Sequence, residues 1–148
     1  MNVGDCMKQN VISINVNDLI KHAVRVIVVN HIGTLPVVND QNQLVGLVLL
    51  SDLLDLAMPD FIDLIDNLDI IHNFGVLEAQ KPGAEILNQP VSKILSEAES
   101  VVMTAGLLRA AAIMHKHHLR DLPVVDQEGR LVGIASHVDI GTALMSHW

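Results

Sequence analysis

Three groups of side chains carry the chemical possibilities of this chain. The first is a hydroxyl and a carboxylate three positions apart, Ser136 and Asp139, closing the stretch Gly133-Ile134-Ala135-Ser136-His137-Val138-Asp139. Serine in that place suits the N-cap of a following helix. The second is histidine, with His115, His117 and His118 close together and His115 and His118 about one helical turn apart. Zinc needs three or four converging ligands and an ordered shell behind them. Cys6 is the only thiol and neither HExxH nor CxxC occurs, so no metal site is expected. The third group is Asp60, Asp63, Asp66 and Asp69, a stripe opposite Phe61, Ile62, Leu64, Ile65, Leu68 and Ile71. That pattern reads as the solvated face of an amphipathic helix. No Ser-His-Asp arrangement, GxGxxG or P-loop is present, and no enzymatic activity is expected.

The elements that must position these residues come from an internal repeat. Leu35-Pro36-Val37-Val38 recurs as Leu122-Pro123-Val124-Val125, 87 positions later and without a gap. At the same offset Leu44-Val45-Gly46 matches Leu131-Val132-Gly133, Asp52 matches Asp139, and His31 matches His118. Each copy has an apolar run, a polar turn (Asn39–Asn42 or Asp126–Gly129) and a second apolar run, which together read as a buried hairpin. Helices are expected to start after each hairpin, near Asp52 and Asp139. Ala110–Met114 is a good helix former, whereas Ala23–Val29 alone would suit a strand. Because aligned copies should fold alike, both segments are read as helices, with Asn17-Asp18 and Thr104 as caps. The expectation is an α/β (α+β) fold of two β-α-β-β-α units about a pseudo-two-fold axis. The first unit spans 1–57, a connecting helix and loop 58–89, and the second unit 90–148.

Composition narrows the function classes. Nine Lys and Arg stand against 17 Asp and Glu, a net charge of −8, so no basic patch for nucleic acid is visible. Aromatics are 2% of the chain, too few for base-stacking platforms. Half of the residues are hydrophobic, yet Leu44–Leu50, among the longest apolar runs, falls far short of the roughly 20 residues that cross a bilayer. Met1–Asp5 lacks the features of a secretory signal, and one cysteine fits a reducing compartment, so a cytoplasmic location is expected. The aliphatic excess on so short a chain points to a homodimer joined through Leu19–Val29, Leu53–Ala57 and Leu107–Met114.

Two units of about 60 residues, each with a Pro-Val-Val hairpin, a Gly and an Asp near the last helix, resemble a tandem CBS-domain pair, or Bateman module. The resemblance runs from about Val3 to Leu144. It implies two units packed sheet to sheet, clefts between them, a homodimer, and binding of AMP, ADP, ATP, S-adenosylmethionine or NAD. The family pattern Gly-h-x-Ser/Thr-x-x-Asp is met by Gly133, Ser136 and Asp139. The resemblance therefore implies that Asp139 accepts from the two ribose hydroxyls and Ser136 supports it, with His137 between them. The stretch before the second proline, Arg120-Asp121-Leu122-Pro123, would lie near ribose and phosphate, with Arg120 as phosphate partner. Asp121 is out of place beside a polyphosphate. Val101, Val102 and Ile134 would contact adenine. Copy one departs from the pattern, since Leu49 stands where the hydroxyl should precede Asp52. The resemblance thus implies a ligand-sensing module favouring AMP at the second copy, read by a protein partner. The other reading is a CBS-dimer scaffold with degenerate sites.

Overall fold

The computed structural model describes residues 1–58 and 82–148. The expected helix with its aspartate stripe at 60–69 lies outside the described residues. In the rest the chain forms α1 (Val3–Cys6), β1 (Ile14–Asn15), α2 (Ile20–Asn30), β2 (Thr34–Val38), β3 (Leu44–Leu49) and α3 (Leu50–Ala57). A short α4 (Ala84–Leu87) and a 3-10 turn at Val91–Lys93 lead to the second copy. That copy contains β4 (Val101–Val102), α5 (Leu107–His117), β5 (Asp121–Val125), β6 (Leu131–Ser136) and α6 (His137–Met145). Each copy thus has the β-α-β-β-α order. Each sheet has three strands, the first parallel to the second and the second antiparallel to the third.

The segment Ala23–Val29 is helical despite its β-branched residues. Ile20, Ala23 and Ile27 recur at helical spacing and are buried against β2 and β3, and this burial outweighs intrinsic propensity. The helices start later than the sequence suggests. Leu19 and Gly106 occupy the N-cap positions, without a side-chain bond. Asp18 is engaged elsewhere, its carboxylate accepting from the Asn15 backbone N–H at 2.9 Å. Both long helices end on a histidine in the left-handed region, His31 at φ 52° and His118 at φ 53°.

The hairpin turns repeat in detail. The Asn39 side-chain oxygen accepts from the N–H groups of Gln41 and Gln43, as Asp126 accepts from those of Glu128 and Arg130. Asn42 and Gly129 supply the positive φ, 62° and 80°. Across the seam the Leu44 N–H donates to the Gly129 carbonyl at 3.0 Å, and the Leu131 N–H to that of Asn42 at 2.9 Å. These reciprocal bonds pin the two hairpins about the pseudo-two-fold axis.

The hydrophobic cores cut across the boundaries drawn at 57 and 90. Val3, at the start of the chain, is fully buried among Val101, Leu107, Ala110 and Leu122 of the second copy. Val91 is fully buried among Ile14, Ile20, Leu35 and Val48 of the first. The same arms complete the sheets. Lys8 and Ile134 exchange backbone hydrogen bonds of 2.8 and 3.0 Å, and Leu47 and Ser96 exchange bonds of 3.0 and 2.9 Å. Such close backbone approach explains the glycine of each copy. A Cβ on Gly133 would meet Met7 Sδ at 2.6 Å and the Lys8 carbonyl at 2.9 Å, while one on Gly46 would meet the Ser96 carbonyl at 3.1 Å. Gly133→Ala is therefore expected to destabilise the fold by about 1–3 kcal/mol, and Gly46→Ala by less. Urea unfolding checks this, and equal stabilities for the two variants would contradict the packing order.

Candidate functional site

Two clefts open along the seam on either side of the axis. The larger, of about 410 Å³, is lined by Gly33, Thr34, Leu47, Leu49, Leu50, Ser51 and Leu54 of the first copy. Its opposite wall is the turn His118–Asp121 of the second. The smaller, of about 300 Å³, is lined by the turn His31–Thr34, Ile134, Asp121 and residues of the stretch Lys8–Ile12. Each places the turn before one copy's proline against the other copy, facing β3 and α3 in the larger cleft and Ile134 of β6 in the smaller.

This packing redistributes the residues expected at the second copy. Arg120 lines the larger cleft, whose other wall is built by β3 and α3 of copy one; Ser136 and Asp139 do not line it. The physical reason is the antiparallel packing about the axis, which presents each pre-proline turn to the opposite copy. Arg120 also borders an outer groove with His115, His118 and His137. Among the described residues its guanidinium is in no ion pair. The His137 N–H donates to the Arg120 carbonyl at 2.8 Å, which ties the turn to the start of α6.

Ser136 and Asp139 form a capping box. The Asp139 N–H donates to the Ser136 Oγ at 3.0 Å, and the Ser136 N–H donates to the Asp139 carboxylate at 2.9 Å. The carboxylate retains lone pairs for a further donor. Burial, then the Asp139 and Asp5 carboxylates, push the thiol of Cys6 above its ordinary pKa, which places Cys6 in the field of this site. Ile134 lines the smaller cleft. Val101, Leu122 and Pro123 are buried in the second copy and line neither cleft. Val102, on the opposite side of its strand, is 40% exposed.

At copy one, Asp52 has a hydroxyl partner that the motif did not reveal. The Ser96 hydroxyl donates to the Asp52 carboxylate at 2.6 Å. Ser96 arrives there through its backbone bridge to Leu47, so a residue 44 positions away supplies a hydroxyl where Leu49 has none. Thr34 and Asp121 are equivalent positions of the two copies and meet at the axis. The Thr34 hydroxyl donates to the Asp121 carboxylate at 3.0 Å. Identical acidic residues there would repel each other; a donor opposite an acceptor resolves the contact.

Comparison with known proteins agrees with this architecture. Residues 3–58 and 91–146 each match the family model described as the CBS domain. A Methanocaldococcus jannaschii protein, MJ1426, is 30% identical, with 98% of this chain and 92% of that protein aligned. MJ1225 of the same organism is 30% identical over 99% of this chain and 44% of its own length. Among solved structures, CBSX2 in complex with AMP is 27% identical and superposes with a TM-score of 0.72, covering 99% of this chain and 97% of that one. The CBS domain pair of MJ0100, in complex with 5′-methylthioadenosine and S-adenosyl-L-methionine, shares the fold at 19% identity and a TM-score of 0.68, covering 100% and 98%. Two matched repeats, two three-stranded sheets and clefts at their seam establish that this chain belongs to the CBS-domain family, as a CBS pair.

Proposed function

We propose that the chain is a non-catalytic regulatory module that binds an adenosine-containing ligand, AMP in the first place, in the clefts between its repeats. One observation carries the reading: the larger cleft sets Arg120 and His118 of one copy across from the β3–α3 junction of the other. Asp52, paired with Ser96, follows the cleft-lining Ser51 in the first turn of α3 and does not itself line the cleft. Adenine then packs on Leu47, Leu49 and Leu54, Asp52 accepts from the ribose, and Arg120 pairs with phosphate. In the smaller cleft Ile134 takes the base and Lys8 is the available cation, and Asp139 and Ser136, which do not line that cleft, are proposed to reach the ribose. The likeness to CBSX2, which was crystallised with AMP, supports the ligand class. A ligand of this kind regulates only if it binds two states of the module unequally, and a protein partner would read the difference. The proposed setting is the cytoplasm. Among the described residues no helix is long and apolar enough to cross a membrane.

The side-chain census favours the monophosphate. Arg120 is the one guanidinium at the larger cleft, Asp121 stands beside it, and the net charge of −8 opposes polyanions. Metal-free calorimetry is expected to give affinities in the order AMP, ADP, ATP. Arg120→Ala should weaken AMP by roughly tenfold or more, the scale of a charged hydrogen bond, and leave adenosine nearly unchanged. Equal losses for AMP and adenosine would remove Arg120 from the phosphate site.

A homodimer is part of this proposal. The helices leave Val28, Val29, Leu108 and Val138 exposed, with Val29 at 72% and Leu108 at 75%. Covering such side chains is what a second copy would do. Light scattering at micromolar concentration is expected to report twice the 16.1 kDa chain mass. The charge-bearing variants Val29→Glu and Leu108→Glu should shift it toward the monomer; a wild-type monomer would refute the dimer.

A further inference from the structure

Thr34 and Asp121 each line both clefts, so the two sites share this part of their wall. Thr34 is buried and Asp121 half-buried, and a single 3.0 Å hydrogen bond joins them. In its sheet Asp121 lies opposite Ser136, and Thr34 lies opposite Leu49, so the wall abuts the end of both hairpins. Among the described residues no ion pair neutralises the Asp121 carboxylate.

From this geometry we infer that Asp121 couples the two clefts: an anionic ligand held in one weakens the binding of a second in the other. The inference rests on the reading of the clefts as nucleotide sites. A phosphate beside an ionised carboxylate raises the energy of both, and the carboxylate relieves this by turning away. The wall has only two sides. A carboxylate that leaves one cleft enters the other, where it opposes the next phosphate. Asp121 is thus an element with two positions whose balance both ligands bias, which is what coupling between sites requires. A neutral nucleoside exerts no such push. The larger cleft, with Arg120 and His118, fills first, and the smaller cleft carries the penalty.

The experiment follows each cleft separately by NMR, using the backbone amides of Ser51 for the larger and Asn10 for the smaller, with AMP and adenosine as ligands. In Arg120→Ala the larger cleft loses AMP. If the coupling holds, the Asn10 reporter then shows AMP binding more tightly than in the wild type, by about fivefold. A gain on removing a cation is opposite to what general electrostatics would give. Asp121→Asn keeps an acceptor for the Thr34 hydroxyl, so the wall stays built. In that background Arg120→Ala should bring no gain at Asn10, and adenosine should bind the same in all variants. An unchanged or weaker AMP affinity at Asn10 in Arg120→Ala overturns the coupling while leaving the nucleotide sites standing. Persistence of the gain with Asp121→Asn also overturns it. Absence of any shift at either reporter with both ligands overturns the nucleotide reading and the coupling together.

Discussion

The structure depends on a reciprocal exchange of buried valines. Val3 fills the core of the second repeat and Val91 that of the first. Burying a valine is worth about 1.5–3 kcal/mol, a large fraction of what a small domain can spare. Each arm also lays a backbone bridge along the outer edge of the other repeat's hairpin, at Ile134 and Leu47. An open sheet edge is a site for unwanted pairing, and each arm covers part of one such edge. The core of each repeat is completed by a valine from the other's side of the chain.

This exchange also shapes the candidate sites. The first arm lines the smaller cleft with Lys8, Asn10, Val11 and Ile12, and the second brings the Ser96 hydroxyl to Asp52. Gly46 and Gly133 are small because the arms cross directly over them. The glycine of the family pattern is therefore a packing residue first, and the hydroxyl–carboxylate pairing downstream of it relies on the same crossing at copy one. Stability and the proposed ligand chemistry meet at the same few residues, so a change meant to alter one will be felt by the other.

Much of the fold was legible because the repeat is ungapped. The copy with the clearer signal, Ala110–Met114, settled the helical state of Ala23–Val29, whose composition alone points to a strand. The hairpins followed from their turn chemistry, with Asn39 and Asp126 as matching side-chain acceptors. The arms were not legible, since a four-residue helix with one buried valine leaves no periodic trace. Nor was the Ser96 partner of Asp52, which sits outside the motif. The family resemblance groups Arg120 with Ser136 and Asp139, because it puts the stretch before the second proline near the ribose and phosphate of the second copy. The packing about the axis instead turns Arg120 toward the first copy, a property of the pair that no single repeat encodes.

The hairpin tips carry one more consequence. Tips at the surface usually tolerate insertions, because their backbone groups face water. Here the carbonyls of Asn42 and Gly129 are taken up by the N–H groups of Leu131 and Leu44, one tip serving the other. A reporter protein spliced into either tip would break both bonds and loosen the seam between the repeats. Anyone attaching a reporter to this module should leave the tips intact and use the exposed end at Trp148, which is 95% exposed, rather than the end that carries the buried Val3.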